Sequence, residues 1–412
     1  MKIGIFSDTH IGYPRFYEDS IKQAREAFVQ ACNNSDLVLI AGDIFDTKTP
    51  KFEVLAKAME ILNYGKSINW SEKGIKGKNN EFPVVAIHGT HDRRSKEMIN
   101  PVQLLEGAGL ITNVSDRVVV FEKEENGKKE TVAIHGIGGT SEDTIRETIK
   151  NLNPKPIEGA YNILMLHQTI TDVIPVAEGI SLDELPAGFD LYLCGHIHKR
   201  VVMEKNGRKL LIPGSTVITQ LKKEEEEPRA YVILDTSNGE IKFIDIKSRP
   251  FRYEEINVIN RDPSEIMKET RKKIEDILTE FEDKSKSIMT EVKGTQEEEQ
   301  QIPIIRIVVR GTLKEGMKRE GLSFQDLYRE YEERCILQID NELNEQGLKE
   351  KLENLRKMYE QKLSVREIGV KTIKEKLKDT PASGIDVEFI MSMLQDDENI
   401  EQVVEELLKE KQ

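Results

Sequence analysis

Residues 37–46 read Leu-Val-Leu-Ile-Ala-Gly-Asp-Ile-Phe-Asp, and no other stretch restricts the possible folds of this chain as much. Five apolar residues in a row, set between Ser35-Asp36 and Gly42, predict a short strand buried on both faces, as in sheets covered by helices. Asp43 then falls at the strand's carboxyl end, where open α/β sheets bind their ligands. A single Gly-Asp pair after a strand is more often structural than metal-binding. A metal site therefore requires the pattern to recur.

It does. Lys2-Ile3-Gly4-Ile5-Phe6 leads into Asp8-Thr9-His10, and Pro83-Val84-Val85-Ala86-Ile87-His88 leads into Gly89-Thr90-His91-Asp92. The apolar run 162–166 ends at His167, and 191–194 ends at Gly195-His196-Ile197-His198. Five strand-like runs thus deliver Asp or His at the same end, which predicts that these side chains converge on one rim. Of the seven histidines in the chain, five lie in these motifs, a sorting that scattered core histidines would not produce. His88, facing away from its strand neighbours, and His135, after a buried run, read as structural. Carboxylates and imidazoles gathered in this way suit borderline divalent metals such as Mn²⁺, Fe²⁺ or Zn²⁺. Two such ions about 3.5–4 Å apart can clamp a phosphate diester and ionise a water for attack. Gly136-Ile137-Gly138-Gly139 follows a strand but lacks the Lys-Ser/Thr ending of a nucleotide-phosphate cradle.

Composition sets the frame. A chain of 412 residues is too long for one ordinary core, so two or three domains are expected. Cys32, Cys194 and Cys335 are far apart, which argues against a disulfide framework or a zinc ribbon and for a reducing compartment. The chain enters a strand almost at once, leaving no room for a signal peptide. No run approaches the roughly 18 apolar residues of a membrane span. The expectation is a soluble, cytoplasmic protein. A formal net charge of −14 lacks the basic footprint usual in nucleic-acid binders. It excludes less than it suggests, because bound metal ions attract phosphate and basic loops act locally.

Along the chain, residues 1–250 alternate strands with amphipathic helices, among them 19–32 and 52–62. Residues 64–82, polar and carrying the sole tryptophan, Trp70, read as an exposed insertion loop. The four acids at 224–227 read as a solvated loop, and Asn238-Gly239 as a hairpin turn. After Pro250, strands at 253–258 and 302–310 flank a helix at 263–282, a small β-α-β unit without histidine. From Leu322 onward the pattern reads helical, about 323–345 and 347–378. Beyond Pro381-Ala382-Ser383-Gly384, residues 387–408 carry an apolar stripe (Phe389, Ile390, Met393 and Leu394 among others) suited to a partner's groove.

In order, Asp8-Thr9-His10, Gly42-Asp43, Gly89-Thr90-His91-Asp92, His167 and Gly195-His196-Ile197-His198 resemble the motifs of calcineurin-like metallophosphoesterases. Met165-Leu166-His167-Gln168, Gly195-His196-Ile197-His198-Lys199-Arg200 and Pro213-Gly214-Ser215-Thr216, followed by the small β-α-β unit and helical tail, resemble the archaeal form of the SbcD, or Mre-eleven, family of double-strand-break repair nucleases. The resemblance implies an α/β fold, a two-sheet sandwich over residues 1–250, then a cap domain at 251–315 and a helical tail at 316–412. It implies one metal held by Asp8, His10, Asp43 and His198, and a second by Asp43, His167 and His196. Thr90 stands where the family has an Asn ligand to the second metal, and a threonine hydroxyl is the poorer donor. His91 matches the catalytic histidine that protonates the leaving oxygen, with Asp92 expected to orient it; Asp46 takes no role. The implied activity is a Mn²⁺-dependent 3′–5′ exonuclease and single-strand endonuclease. The implied partners are DNA, a Rad-fifty (SbcC) type ATPase docked on 387–408, and a second copy through helices at 52–62 and 102–105. A phosphatase on proteins or small molecules would need the same metals, and a DNA-end tether with a weakened site is the non-enzymatic alternative.

Overall fold

The computed structural model describes residues 1–95, 98–125, 127–175, 177–291, 302–344, 370, 373–374 and 387. The five apolar runs are strands. Lys2–Phe6, Leu37–Ile40 and Val84–Ala86 lie side by side and parallel in a six-stranded sheet. On one side Ala230–Asp235 pairs antiparallel with Lys2–Phe6 and Glu240–Asp245 pairs antiparallel with Ala230–Asp235, and Thr112–Asn113 closes the other. Tyr161–His167 and Leu191–Gly195 are parallel neighbours in a second sheet of seven strands. Leu37, Val38, Leu39 and Ile40 are fully buried or nearly so, as a strand covered on both faces requires. The helix Tyr17–Asn34 covers the first sheet, and Gly4 is small because Ala31 presses on its Cα. The Asn238-Gly239 turn joins its two strands as expected, with Gly239 at φ +71.

By compactness the chain divides into two units. The first comprises residues 1–255, 270–308 and 325–340, and the second 256–269, 309–324 and 341–412. Both sheets and every candidate ligand belong to the first. Within the second, Pro263 opens the helix Pro263–Glu291, and Asp262 accepts hydrogen bonds from the Ser264 amide and hydroxyl, which gives the sharp helix start expected there. A third sheet orders the strands Phe251–Arg261, Ile304–Leu313 and Ile336–Asn344.

Two expectations are corrected. The continuous helix over 323–345 is a short helix, Gln325–Tyr331, followed by the strand Ile336–Asn344. The buried residues of that strand, Ile339 and Leu343, are four apart, a spacing that fits both the helical and the strand period, so the sequence pattern alone did not separate the two. The polar stretch 64–82 is not an exposed loop. The helix Phe52–Ser67 runs into it, Ile75–Gly77 pairs antiparallel with Val118–Glu125, and Trp70 is buried with its indole N–H on the Gly65 carbonyl at 2.8 Å. One aromatic anchor and a strand-pairing backbone are enough to hold a segment whose other side chains are polar. The helix expected at 347–378 and the docking segment 387–408 lie, apart from residues 370, 373–374 and 387, outside the described residues. No helix among the described residues is long and apolar enough to cross a membrane.

Candidate metal centre

The loops that leave the carboxyl ends of these strands bring the expected side chains together in two groups. Asp8, His10 and His198 offer ligand atoms within 4.8 Å of one another, as do Asp43, His167 and His196. In the first group, Nε2 of His198 lies 3.2 Å from Nε2 of His10 and 3.7 Å from Oδ1 of Asp8. In the second, Nε2 of His167 lies 3.1 Å from Oδ2 of Asp43, and 3.9 Å from Oδ1 of Asp8 across the gap between the groups. The backbone interlocks the first two loops, with the Asp8 amide on the Gly42 carbonyl and the His10 amide on the Asp43 carbonyl.

Local conformation shows the cost of this convergence. Asp8, His10, Asp43 and His196 all sit in the left-handed region, at φ +53, +42, +49 and +80. Non-glycine residues keep such angles only where the surroundings over-determine them, and such strain gathers at functional sites. Gly42 and Gly89 clear the space: a Cβ on Gly42 would run into the His167 ring, and one on Gly89 into the Asp43 carboxylate.

Electrostatics asks for a cation here. Burial and the neighbouring Asp43 raise the Asp8 carboxyl, partly offset by His167. Burial also works against a charged His167, yet the Asp43 and Asp8 carboxylates push its imidazole up to about 10. Asp43, also against burial, is held well below the carboxylate range by His167. Two adjacent buried carboxylates thus draw a positive charge into the cluster, a demand that a divalent cation meets more fully. Burial and the nearby His10 press His198 well below its ordinary value, and burial and His167 lower His196 to about 4. Both therefore present neutral imidazoles, the form in which histidine binds metal. The buried Nε2 of His167, which makes no well-directed hydrogen bond, faces the same carboxylates. The donor set fits divalent metal.

The remaining candidates fall around this core. Thr90 is half-buried, its hydroxyl 3.5 Å from Oδ2 of Asp43. His91 is exposed, its ring edge-on to His10 at 4.9 Å, and its amide donates to Oδ1 of Asp43. Asp92 does not reach the His91 ring. Its fully buried carboxylate accepts from the amides of Ile44, Phe45 and Gly89, which locks the Asp43 loop to the His91 loop, and burial followed by Asp43 raises it to about 6. His91 Nδ1 instead donates to the main-chain carbonyl of Asp46 at 2.6 Å, and the Asp46 carboxylate lies 3.5 Å from His10 Nδ1. Asp46, given no role in the sequence reading, is thus the residue that touches both histidines. Its spacing after Asp43 was the available signal. His88 and His135 take structural bonds, to Ser115 and Asn162.

The expectation for the acids at 224–227 is also corrected. Glu225 is buried, and its carboxylate accepts from the amides of Thr219, Gln220 and Lys222. The Thr219 hydroxyl lies 2.7 Å from Nδ1 of His198. A run of like charges hid the one member turned inward, and no motif marks Thr219.

Similarity to known proteins agrees with this geometry. The chain is 29% identical over 274 residues to the DNA double-strand break repair protein Mre11 of Sulfolobus acidocaldarius, covering 63% of this chain and 67% of that one. Against the protein of the same name from Saccharolobus solfataricus the identity is 27% over 351 residues, 81% of this chain and 83% of that one. The double-strand break repair protein MRE11 of Arabidopsis thaliana is 24% identical over 322 residues, 65% of this chain and 44% of that one. Residues 1–239 match the calcineurin-like phosphoesterase superfamily domain, and they hold both sheets' ligand-bearing strands and both ligand groups. The chain belongs to the calcineurin-like phosphoesterase superfamily.

Proposed function

We propose that this chain is a two-metal, Mn²⁺-dependent DNA nuclease of double-strand-break repair, with 3′–5′ exonuclease and single-strand endonuclease activity. The observation that carries the reading is the pairing of two buried ligand groups with one exposed histidine beside them. Asp8, His10, Asp43 and His198 would hold one ion, and Asp43, His167 and His196 the other, with Thr90 at the edge of the second. Bound there, two divalent ions supply Lewis-acid stabilisation of a phosphate diester and lower the pKa of water.

The chain's own residues do the rest. A carbonyl only accepts, so the Asp46 carbonyl fixes a hydrogen on Nδ1 of His91, and the imidazolium form of the ring would pass its second proton from Nε2 to the leaving oxygen, leaving the neutral Nδ1–H tautomer. His91 is exposed and belongs to neither of the two proposed ligand sets, although its ring also stands with His10 and Asp46 in a third cluster of potential ligand atoms; in this reading it faces substrate and not an ion. Asp92 keeps the His91 and Asp43 loops in register through its three amide bonds. The names borne by the relatives support DNA as the substrate.

The same reading makes residues 1–250 the nuclease domain, 251–315 a cap and 316–412 a tail whose segment 387–408 docks on a Rad-fifty type ATPase in the cytoplasm. A homodimer would form through helices near 52–62 and 102–105, where Phe52 and Leu104 are exposed. The test compares cleavage of a linear duplex, a circular single strand and p-nitrophenyl phosphate with Mn²⁺. The nuclease reading expects both DNAs to be cut. Turnover of p-nitrophenyl phosphate with both DNAs intact would make the chain a phosphatase, and no turnover of any would make it a tether.

A further inference from the structure

Three histidines of the centre have different outer partners. His167 Nδ1 bonds the Ala41 carbonyl at 2.8 Å, which can only accept. His10 Nδ1 faces the Asp46 carboxylate, which also only accepts when ionised. His198 Nδ1 faces a hydroxyl, that of Thr219, at 2.7 Å. A hydroxyl both donates and accepts, so by itself it does not decide which ring nitrogen of His198 carries the hydrogen. If Thr219 donated to Nδ1, the hydrogen would sit on Nε2, the nitrogen turned toward Asp8 and His10, and the ligand lone pair would be lost.

The ambiguity is resolved one residue further out. Oε1 of Glu225 lies 3.5 Å from the Thr219 hydroxyl and accepts the Thr219 amide at 2.9 Å. Its other oxygen takes the amides of Gln220 at 2.8 Å and Lys222 at 3.3 Å. The carboxylate is 4% exposed and stands beside the buried guanidinium of Arg229, which donates to the Glu225 and Glu227 carbonyls and to Ser215. Tyr13, three residues after His10, clamps the same turn from the other side, its hydroxyl on the Thr219 carbonyl at 2.7 Å. Thr219 is therefore held through its amide, its carbonyl and its hydroxyl, and the hydroxyl hydrogen has an acceptor in Oε1 of Glu225.

We propose that Thr219 and Glu225 are positioning residues for the metal-binding form of His198. Glu225 takes the Thr219 hydroxyl hydrogen, Thr219 then accepts Nδ1–H of His198, and Nε2 is left unprotonated toward Asp8 and His10. Outer groups of this kind commonly fix the tautomer and ring orientation of a metal-ligating histidine. The inference rests on the reading of His198 as a ligand, and the experiment separates the two.

Calorimetric titration of the metal-free full chain with Mn²⁺ is compared for the unmodified protein, His198→Ala, Thr219→Val, Thr219→Ser and Glu225→Gln, with the visible spectrum of the Co²⁺-loaded forms as a second readout. Thr219→Val, which keeps the shape and removes the hydroxyl, is expected to weaken the tighter metal roughly 10–100-fold and to alter the Co²⁺ spectrum. Thr219→Ser is expected to restore both, and Glu225→Gln to fall between. Asp19→Asn breaks a buried ion pair with Arg249 away from the centre and should lower the unfolding temperature without moving metal affinity. If Thr219→Val does not fold, Thr219→Ala takes its place. A folded hydroxyl-less variant that binds metal like the parent overturns the inference, as does a serine variant as weak as the valine one. Unchanged binding in His198→Ala overturns instead the assignment of His198 as a ligand.

Discussion

The two ligand groups are built by different means, and the difference shows where each can be tuned. The histidines of the first are oriented by side chains, His10 by the Asp46 carboxylate and His198 by Thr219. In the second, His167 is oriented by the main chain through the Ala41 carbonyl, and Thr90 brings a neutral side-chain oxygen to its edge. Substitution can therefore adjust the first group from outside it. The second is fixed by the strand ends themselves, and Thr90 is its adjustable point.

The harshest way to break the comparison is Asp43→Ala. Oδ2 of Asp43 faces His167, and in the proposed function its carboxylate serves both ions, so metal content by elemental analysis should fall in both and cleavage should disappear. Retention of one full equivalent of tightly bound metal would show that Asp43 serves a single group. Next in size is His91→Ala. Losing a general acid typically costs about 10²–10⁴-fold in rate, and here it should do so with metal content unchanged, because His91 lies outside both proposed sites. Loss of metal as complete as in Asp43→Ala would place His91 among the ligands.

Smaller, and specific to the second group, is Thr90→Asn. An amide carbonyl reaches farther than a hydroxyl and donates better to a hard cation, so the weaker Mn²⁺ binding event should tighten roughly 10–100-fold while the tighter one stays put. Equal affinities already present in the unmodified chain would mean that Thr90 costs the second group nothing.

The candidate centre could be read from the sequence because its signal is serial: each ligand follows an apolar run, and strands that run parallel must place their ends on one rim. The two-sheet sandwich came only through the family resemblance that those motifs carry, since the runs by themselves do not say that the ligand-bearing strands divide between two sheets. What escaped lies one step out. Thr219 lies in an irregular segment and Glu225 in a single short 3-10 turn, Lys223–Glu226, neither long enough to show a period, and the exposed Glu224 and Glu227 in the same run mask the buried Glu225. Asp92 was read for its chemistry beside His91, when its carboxylate is spent on three main-chain amides. The strand Ile336–Asn344 was missed because a spacing of four serves helix and strand alike.

Calorimetric titration of the metal-free chain with Mn²⁺ tests most directly whether these are two metal sites. The account predicts two resolvable binding events with a total of two ions per chain, the weaker one responding to Thr90→Asn and the tighter one to Thr219→Val. A single event of one ion per chain, or two events that both substitutions shift alike, would contradict it.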